Sequence, residues 1–174
     1  MSKSRLNLQA YQQNILERLK HVADDPEAGS SRLGVHVGGE RYLVSLHDIS
    51  EVLPVPEILP VPLTQPWFLG MANVRGNLYA ITDLAQFIGS SRQQAPVTAE
   101  SRVLLVHGDF DINAGFLIDS LAGLRNLEEF KLLDMVADVA AHVAARYEDS
   151  QHHKWEALDM AFILKKKEFL QVAA

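Results

Sequence analysis

From Arg32 onward the chain alternates polar and apolar residues. Leu33, Val35 and Val37 share one parity, and after Gly38-Gly39 the set Tyr42, Val44 and Leu46 resumes it. A period of two belongs to strands, whose successive side chains point to opposite faces, and Gly-Gly between two such runs predicts a hairpin. His47 to Leu53 reads as a short turn and strand. Pro54, Pro56, Pro60, Pro62 and Pro66 then fall within thirteen residues, which forbids helix and central strand and predicts an extended surface segment. Trp67 and Phe68 follow as core or loop anchors. The stretch Gly70 to Gly76 reads as a tight loop, because glycine takes positive φ without steric cost and asparagine tolerates it. Residues 77 to 82 predict a strand with Leu78 and Ala80 on one face and Tyr79 and Ile81 on the other.

The second half continues in short strands. Leu84, Phe87 and Ile88 have helical spacing for a turn or two that Gly89 ends, and Ser90 to Ser101 is polar and predicts a surface loop. Val103 to Val106 is a continuous apolar strand, Gly108 to Asp111 a turn, and Ile112, Ala114, Phe116 and Ile118 alternate again. Leu121, Leu124 and Leu127 continue the apolar pattern, with Gly123 set against a helix. In Glu128 to Arg146 the spacing of Met135, Val136, Val139 and Val143 points to a helix. Asp149 to Lys154 predicts a polar turn, Trp155 to Met160 a strand and Ala161 to Val172 a terminal helix. Ahead of all this, Leu8, Tyr11, Ile15 and Leu19 lie at helical spacing, and Asp24-Asp25-Pro26 stops that amphipathic helix. Residues 1–31 are therefore a helical extension and linker, and 32–174 the main domain. The apolar face of the extension either packs back on the domain or docks on another protein. Many short strands punctuated by glycine and proline argue for small barrels over a parallel α/β sheet.

Composition narrows the function classes. At 174 residues there is room for one domain with a core or two small lobes, and 48% hydrophobic with 22% charged residues is ordinary for a globular chain. A net charge of −6 argues against nucleic acid, which needs a basic face to displace counterions. The absence of cysteine excludes disulfides, thiolate zinc sites and thiol nucleophiles, and fits the cytoplasm. No N-terminal h-region marks a signal peptide, and no run approaches the roughly 18 apolar residues of a membrane span, so membrane association would come through a partner. There is no Walker glycine-lysine loop, no Gly-x-Ser-x-Gly elbow and no recognisable acid/base pair, which makes the protein non-enzymatic by expectation, with no cofactor and no metal. His152 and His153 are adjacent and read as part of a solvated turn, and Asp109 and Asp111 as hairpin caps. Lys165-Lys166-Lys167 reads as a solvated helix face. Arg75, between Val74 and Gly76, either reaches water or needs a carboxylate, since burying it unpaired is costly.

The motif Gly70-x-x-Asn73-x-Arg75-Gly76, followed by Ile81-x-Asp83-Leu84, resembles the CheW-like family of chemosensory coupling proteins. The strand Arg41 to Leu46, the segment Ile49-x-Glu51-Val52, the approach Ile58-x-Pro60-Val61-Pro62 and the apolar strands from Val103 to Ile118 are similar too. The likeness covers about residues 32 to 172. The N-terminal extension and the ending Trp155-x-x-Leu158-Asp159-Met160, then Phe169-Leu170, look like the PilI-type members of twitching-motility pathways. The stretch 128–154 departs from the family pattern.

This resemblance implies a mainly β fold of two SH3-like five-stranded barrels and an adaptor function. It implies two partners, the cytoplasmic tip of a chemoreceptor and the barrel-type regulatory domain of a CheA-type histidine kinase. It also places Glu51 across from Arg75, so the two should pair. Arg75 then either serves a partner or only pins the loop to its own barrel. Ile49, Val52, Leu53 and Val74 would form an apolar receptor-facing groove or ordinary core, with Asn73 beside them, while Gly70, Gly76 and Asp83 would shape the loop. The remaining alternative is a sequestering component that engages receptor or kinase without coupling them, or an adaptor of swimming chemotaxis.

Overall fold

The computed structural model describes residues 29–90 and 96–174. The amphipathic helix expected around Leu8, Tyr11, Ile15 and Leu19 lies outside the described residues. In chain order the strands are β1 (Ser31–Val37), β2 (Glu40–Ser45), β3 (Ile49–Pro54), β4 (Phe68–Val74), β5 (Asn77–Asp83), β6 (Arg102–Val106), β7 (Ala114–Ile118), β8 (Ser120–Asn126), β9 (Lys131–Leu133), β10 (Val143–Glu148) and β11 (Lys154–Leu158). Three short helices join them: α1 (Leu84–Phe87), α2 (Met160–Lys165) and α3 (Lys167–Leu170). Two sheets result, in the orders β8-β1-β2-β11-β10-β9 and β3-β6-β7-β5-β4. Both are antiparallel except for the parallel pairs β2 with β11 and β5 with β7.

The expected β1–β2 hairpin is present, with Val37 opposite Glu40 around the two glycines. The two lobes are sheets of six and five strands where five each were expected. The extra strand is β9, three residues pairing Leu132 with Tyr147.

Strands β6 and β7 explain why their sequence reads as nearly unbroken apolar runs. Val103 and Leu105 face a small core with Ala72, Ile81 and Leu117. Leu104 and Val106 face a larger one with Phe116, Ile118, Leu33, Val44 and Ile163. A strand buried on both faces has no polar side to show. Each fully buried Leu, Ile or Phe contributes roughly 2 kcal/mol through burial alone, so the shared strands fasten the two lobes together.

Four expectations are corrected. Gly70 to Gly76 is not a loop: residues up to Val74 belong to β4, and the turn is Arg75-Gly76 alone. Gly70 sits in the strand at φ 135° because the backbone of Leu59 lies against it; a Cβ there would stand 2.1 Å from the Leu59 carbonyl oxygen. The 128–146 stretch holds β9, a turn and β10 in place of a helix. Met135 and Val136 are 50% and 56% exposed, so their helical spacing meets no surface to pack on. The last strand ends at Leu158, and Asp159 caps α2 by accepting from the Phe162 N–H at 2.9 Å. The terminal helix is two helices, broken where Lys166 turns extended, at ψ 134°. That break seats Phe169 in the larger core, stacked on Phe116 at 5.6 Å, and leaves the Lys166 ammonium 5.5 Å from the Phe162 ring.

Candidate partner-binding site

The turn between β4 and β5 is two residues long. Arg75 (φ 51°) and Gly76 (φ 86°) are both left-handed, the geometry that matches a hairpin to the twist of its strands. Asn73 fixes it: its Oδ1 accepts from the Gly76 N–H at 2.9 Å. Asn73 is exposed, and that carbonyl is committed to the turn.

The turn aims Arg75 at Glu51. Nη1 donates to Oε2 at 2.6 Å and Nη2 donates to Oε1, a two-point pair. Glu51 lies on β3 and Arg75 follows β4, the two opposite edges of the five-stranded sheet. The pair therefore bridges the seam where the sheet curls on itself. The Arg75 side chain is 74% exposed and that of Glu51 18%. Hydrogen bonding to Glu51, then its charge, raises the Arg75 pKa, so the guanidinium stays charged. Two of its five N–H donors are used; the rest face solvent.

The apolar candidates divide. Val52 packs against the larger core, and Leu53 and Val74 against the smaller one; all three are half-buried, with part of each available at the surface. Ile49 is 3% exposed and belongs to the larger core, so it does not line an exposed groove. Its place follows from the irregular register of β3, which shifts between Ile49 and Glu51 where it pairs with β6. Asp83 is buried at the start of α1, accepting from the Gln86 N–H at 3.3 Å. Burial raises its carboxyl pKa, and bonds from the Gln86 and Ala85 N–H groups oppose the rise. Trp67 and Phe68 are anchors, as expected: Phe68 is buried, and Trp67 stacks on Phe169 at 6.1 Å and meets the edge of Phe87 at 4.9 Å.

Several exposed apolar residues escaped the sequence reading, one beside this turn and three on the segment that runs away from it along β4. Leu78 pairs with Asn73 one step from the turn, and Leu59, Val61 and Leu63 stand out from the proline segment. Leu63 is 86% exposed, on a left-handed backbone. The Leu59 backbone pairs with Met71, with N–H to O distances of 2.8 and 2.9 Å, which fastens the segment to the outer edge of β4. A signal was present: apolar residues interleaved with prolines have no strand face on which to be buried.

The described residues hold no group of three or more His, Asp or Glu side chains placed to bind a metal, and no helix long and apolar enough to cross a membrane. Two sheets packed on a common core, with a charged hairpin tip on one of them, define this β-domain. Residues 32–168 match the CheW-like domain, and the chain belongs to that family. It is 33% identical over 96 residues to the protein PilI of Pseudomonas aeruginosa, a match covering 55% of this chain and 52% of that protein. It is 24% identical over 100 residues to the chemotaxis protein CheW of Thermotoga maritima, covering 58% and 64%. The aligned region thus spans about half to two thirds of these relatives. The fold superposes on the scaffolding protein TtCheW of Thermoanaerobacter tengcongensis with a TM-score of 0.66 at 17% identity, over 80% of this chain and 94% of that one.

Proposed function

We propose that this protein is a non-catalytic adaptor of a chemosensory array, joining the cytoplasmic tip of a chemoreceptor to the regulatory domain of a CheA-type histidine kinase. The carrying observation is the Arg75–Glu51 pair, held across a sheet seam with the guanidinium exposed, flanked in sequence by the half-buried Val52 and Val74. A charged, preorganised tip flanked by partly exposed apolar residues suits protein recognition, because the pairing fixes the arginine before a partner arrives. Arg75, Glu51, Val52, Leu53, Val74 and Asn73 would make up the contact surface. The likeness to PilI supports a pathway that controls type IV pilus twitching motility. Such an adaptor works in the cytoplasm and reaches the membrane through its receptor.

Calorimetric titration with the kinase regulatory domain, before and after saturation with a receptor-tip fragment, tests this. Simultaneous binding of both is expected of a coupling adaptor. Binding of one alone, or mutual exclusion, identifies a sequestering component.

A further inference from the structure

Away from the hairpin tip, the six-stranded sheet holds a cleft of about 390 Å³. Its floor is Trp155, buried near the start of β11 just after the polar turn. The Arg125 guanidinium lies 5.3 Å over the indole, and the Phe130 ring meets it edge-on at 6.0 Å. Arg41, His36 and His153 complete a ring of basic side chains.

The polar groups here are unevenly matched. The main acceptor, Asp149, is already filled by the Trp155 indole N–H at 2.9 Å, the backbone N–H groups of Gln151 and His153 at 2.9 Å and the His153 ring at 3.2 Å. The donors are not. Arg125 gives Nη2 to the Ala122 carbonyl at 3.0 Å, and its Nε is buried without a partner. The Arg41 side chain makes no hydrogen bond or ion pair among the described residues. His36 uses Nδ1 on Ser120 at 3.0 Å and keeps Nε2. Glu129 is the one other carboxylate lining the cleft and is exposed. The unused N–H groups of the Arg125 and Arg41 guanidinium heads meet no carboxylate among the described residues, and an oxyanion in the cleft supplies an acceptor with its charge.

We propose that this cleft is an oxyanion-binding site, in which Arg125 and Arg41 take a carboxylate or phosphate group and Trp155 with Phe130 form its apolar wall. The group belongs either to a free polyanion or to an acidic side chain of a bound peptide; both present the same oxygens.

The test follows the Trp155 indole N–H by NMR in the full-length protein during titration with citrate, inorganic phosphate or a hexaglutamate peptide at constant ionic strength, with chloride as control. A saturable shift is expected from at least one probe. Saturation by citrate or phosphate marks a free anion as the ligand, and by hexaglutamate alone an acidic peptide. Arg125→Gln should weaken the apparent affinity about tenfold or more, and Glu129→Gln should strengthen it. Arg41→Gln, which leaves Arg125 and Phe130 in place on the indole, should also weaken it and keeps the test decisive if the Arg125 variant is poorly folded. A shift that never saturates, equals that of chloride, or persists in both arginine variants overturns the assignment.

Discussion

Arg75 and Glu51 stand twenty-four positions apart and on opposite edges of one sheet, yet they form a two-point ion pair across its seam. An ion pair whose arginine lies largely in water stabilises a fold little, because solvent screens the attraction there. The geometry is thus more valuable for orienting the guanidinium than for holding the lobe together.

Arg75→Ala should therefore fold, with its melting temperature lowered by no more than a few degrees. Its affinity for the kinase domain or the receptor tip should fall by about tenfold or more. Scanning calorimetry and titration on the same preparation check both, and an unfolded variant would return Arg75 to a purely structural role.

Two glycines of the same hairpin should respond differently to alanine. At Gly70 a Cβ would lie 2.1 Å from the Leu59 carbonyl oxygen and 2.9 Å from Pro60 Cα, so Gly70→Ala should cost about 3 kcal/mol or prevent folding. At Gly76 nothing lies within 4 Å, and Gly76→Ala should cost only the left-handed backbone, about 1 kcal/mol. Urea denaturation of the two variants side by side gives the comparison.

Asp149 links stability to acid. Burial alone would raise its pKa, but bonds from the Trp155 indole, the His153 and Gln151 backbone and the His153 ring outweigh it and hold the carboxyl well below the usual range. With the folded pKa depressed, the stabilisation is complete above the unfolded value of about 3.9 and is lost as pH falls through the folded one. Asp149→Asn should accordingly be less stable than the parent at neutral pH, and the gap should narrow below about pH 4. Melting temperatures across that range decide it.

Tyr42 gives the opposite limit. Burial, then the charges of Glu156 and Glu40, push its phenol up to about 12. A raised folded pKa means stability that is full below the unfolded value of about 10 and drains as pH rises through the folded one. Tyr42→Phe should flatten the loss of stability between about pH 10 and 12. An alkaline denaturation series on parent and variant measures this, and equal slopes would place the alkaline transition elsewhere.

The sequence by itself determined the local elements. The β1–β2 hairpin was legible because alternation and Gly38-Gly39 are local instructions, and the proline segment was legible for the same reason. Pairing of Arg75 with Glu51 was legible only through family likeness, since no short-range rule joins β3 to the β4–β5 turn. Tertiary structure decided what depends on distant neighbours. It made Gly70 a strand residue because Leu59 comes to lie against it, and left Met135 and Val136 exposed because no element among the described residues covers them. It also gathered His36, Arg41, Arg125 and Trp155 from β1, β2, β8 and β11 around one cleft. Periodicity reports which face a residue occupies; only the packed sheets determine what that face meets.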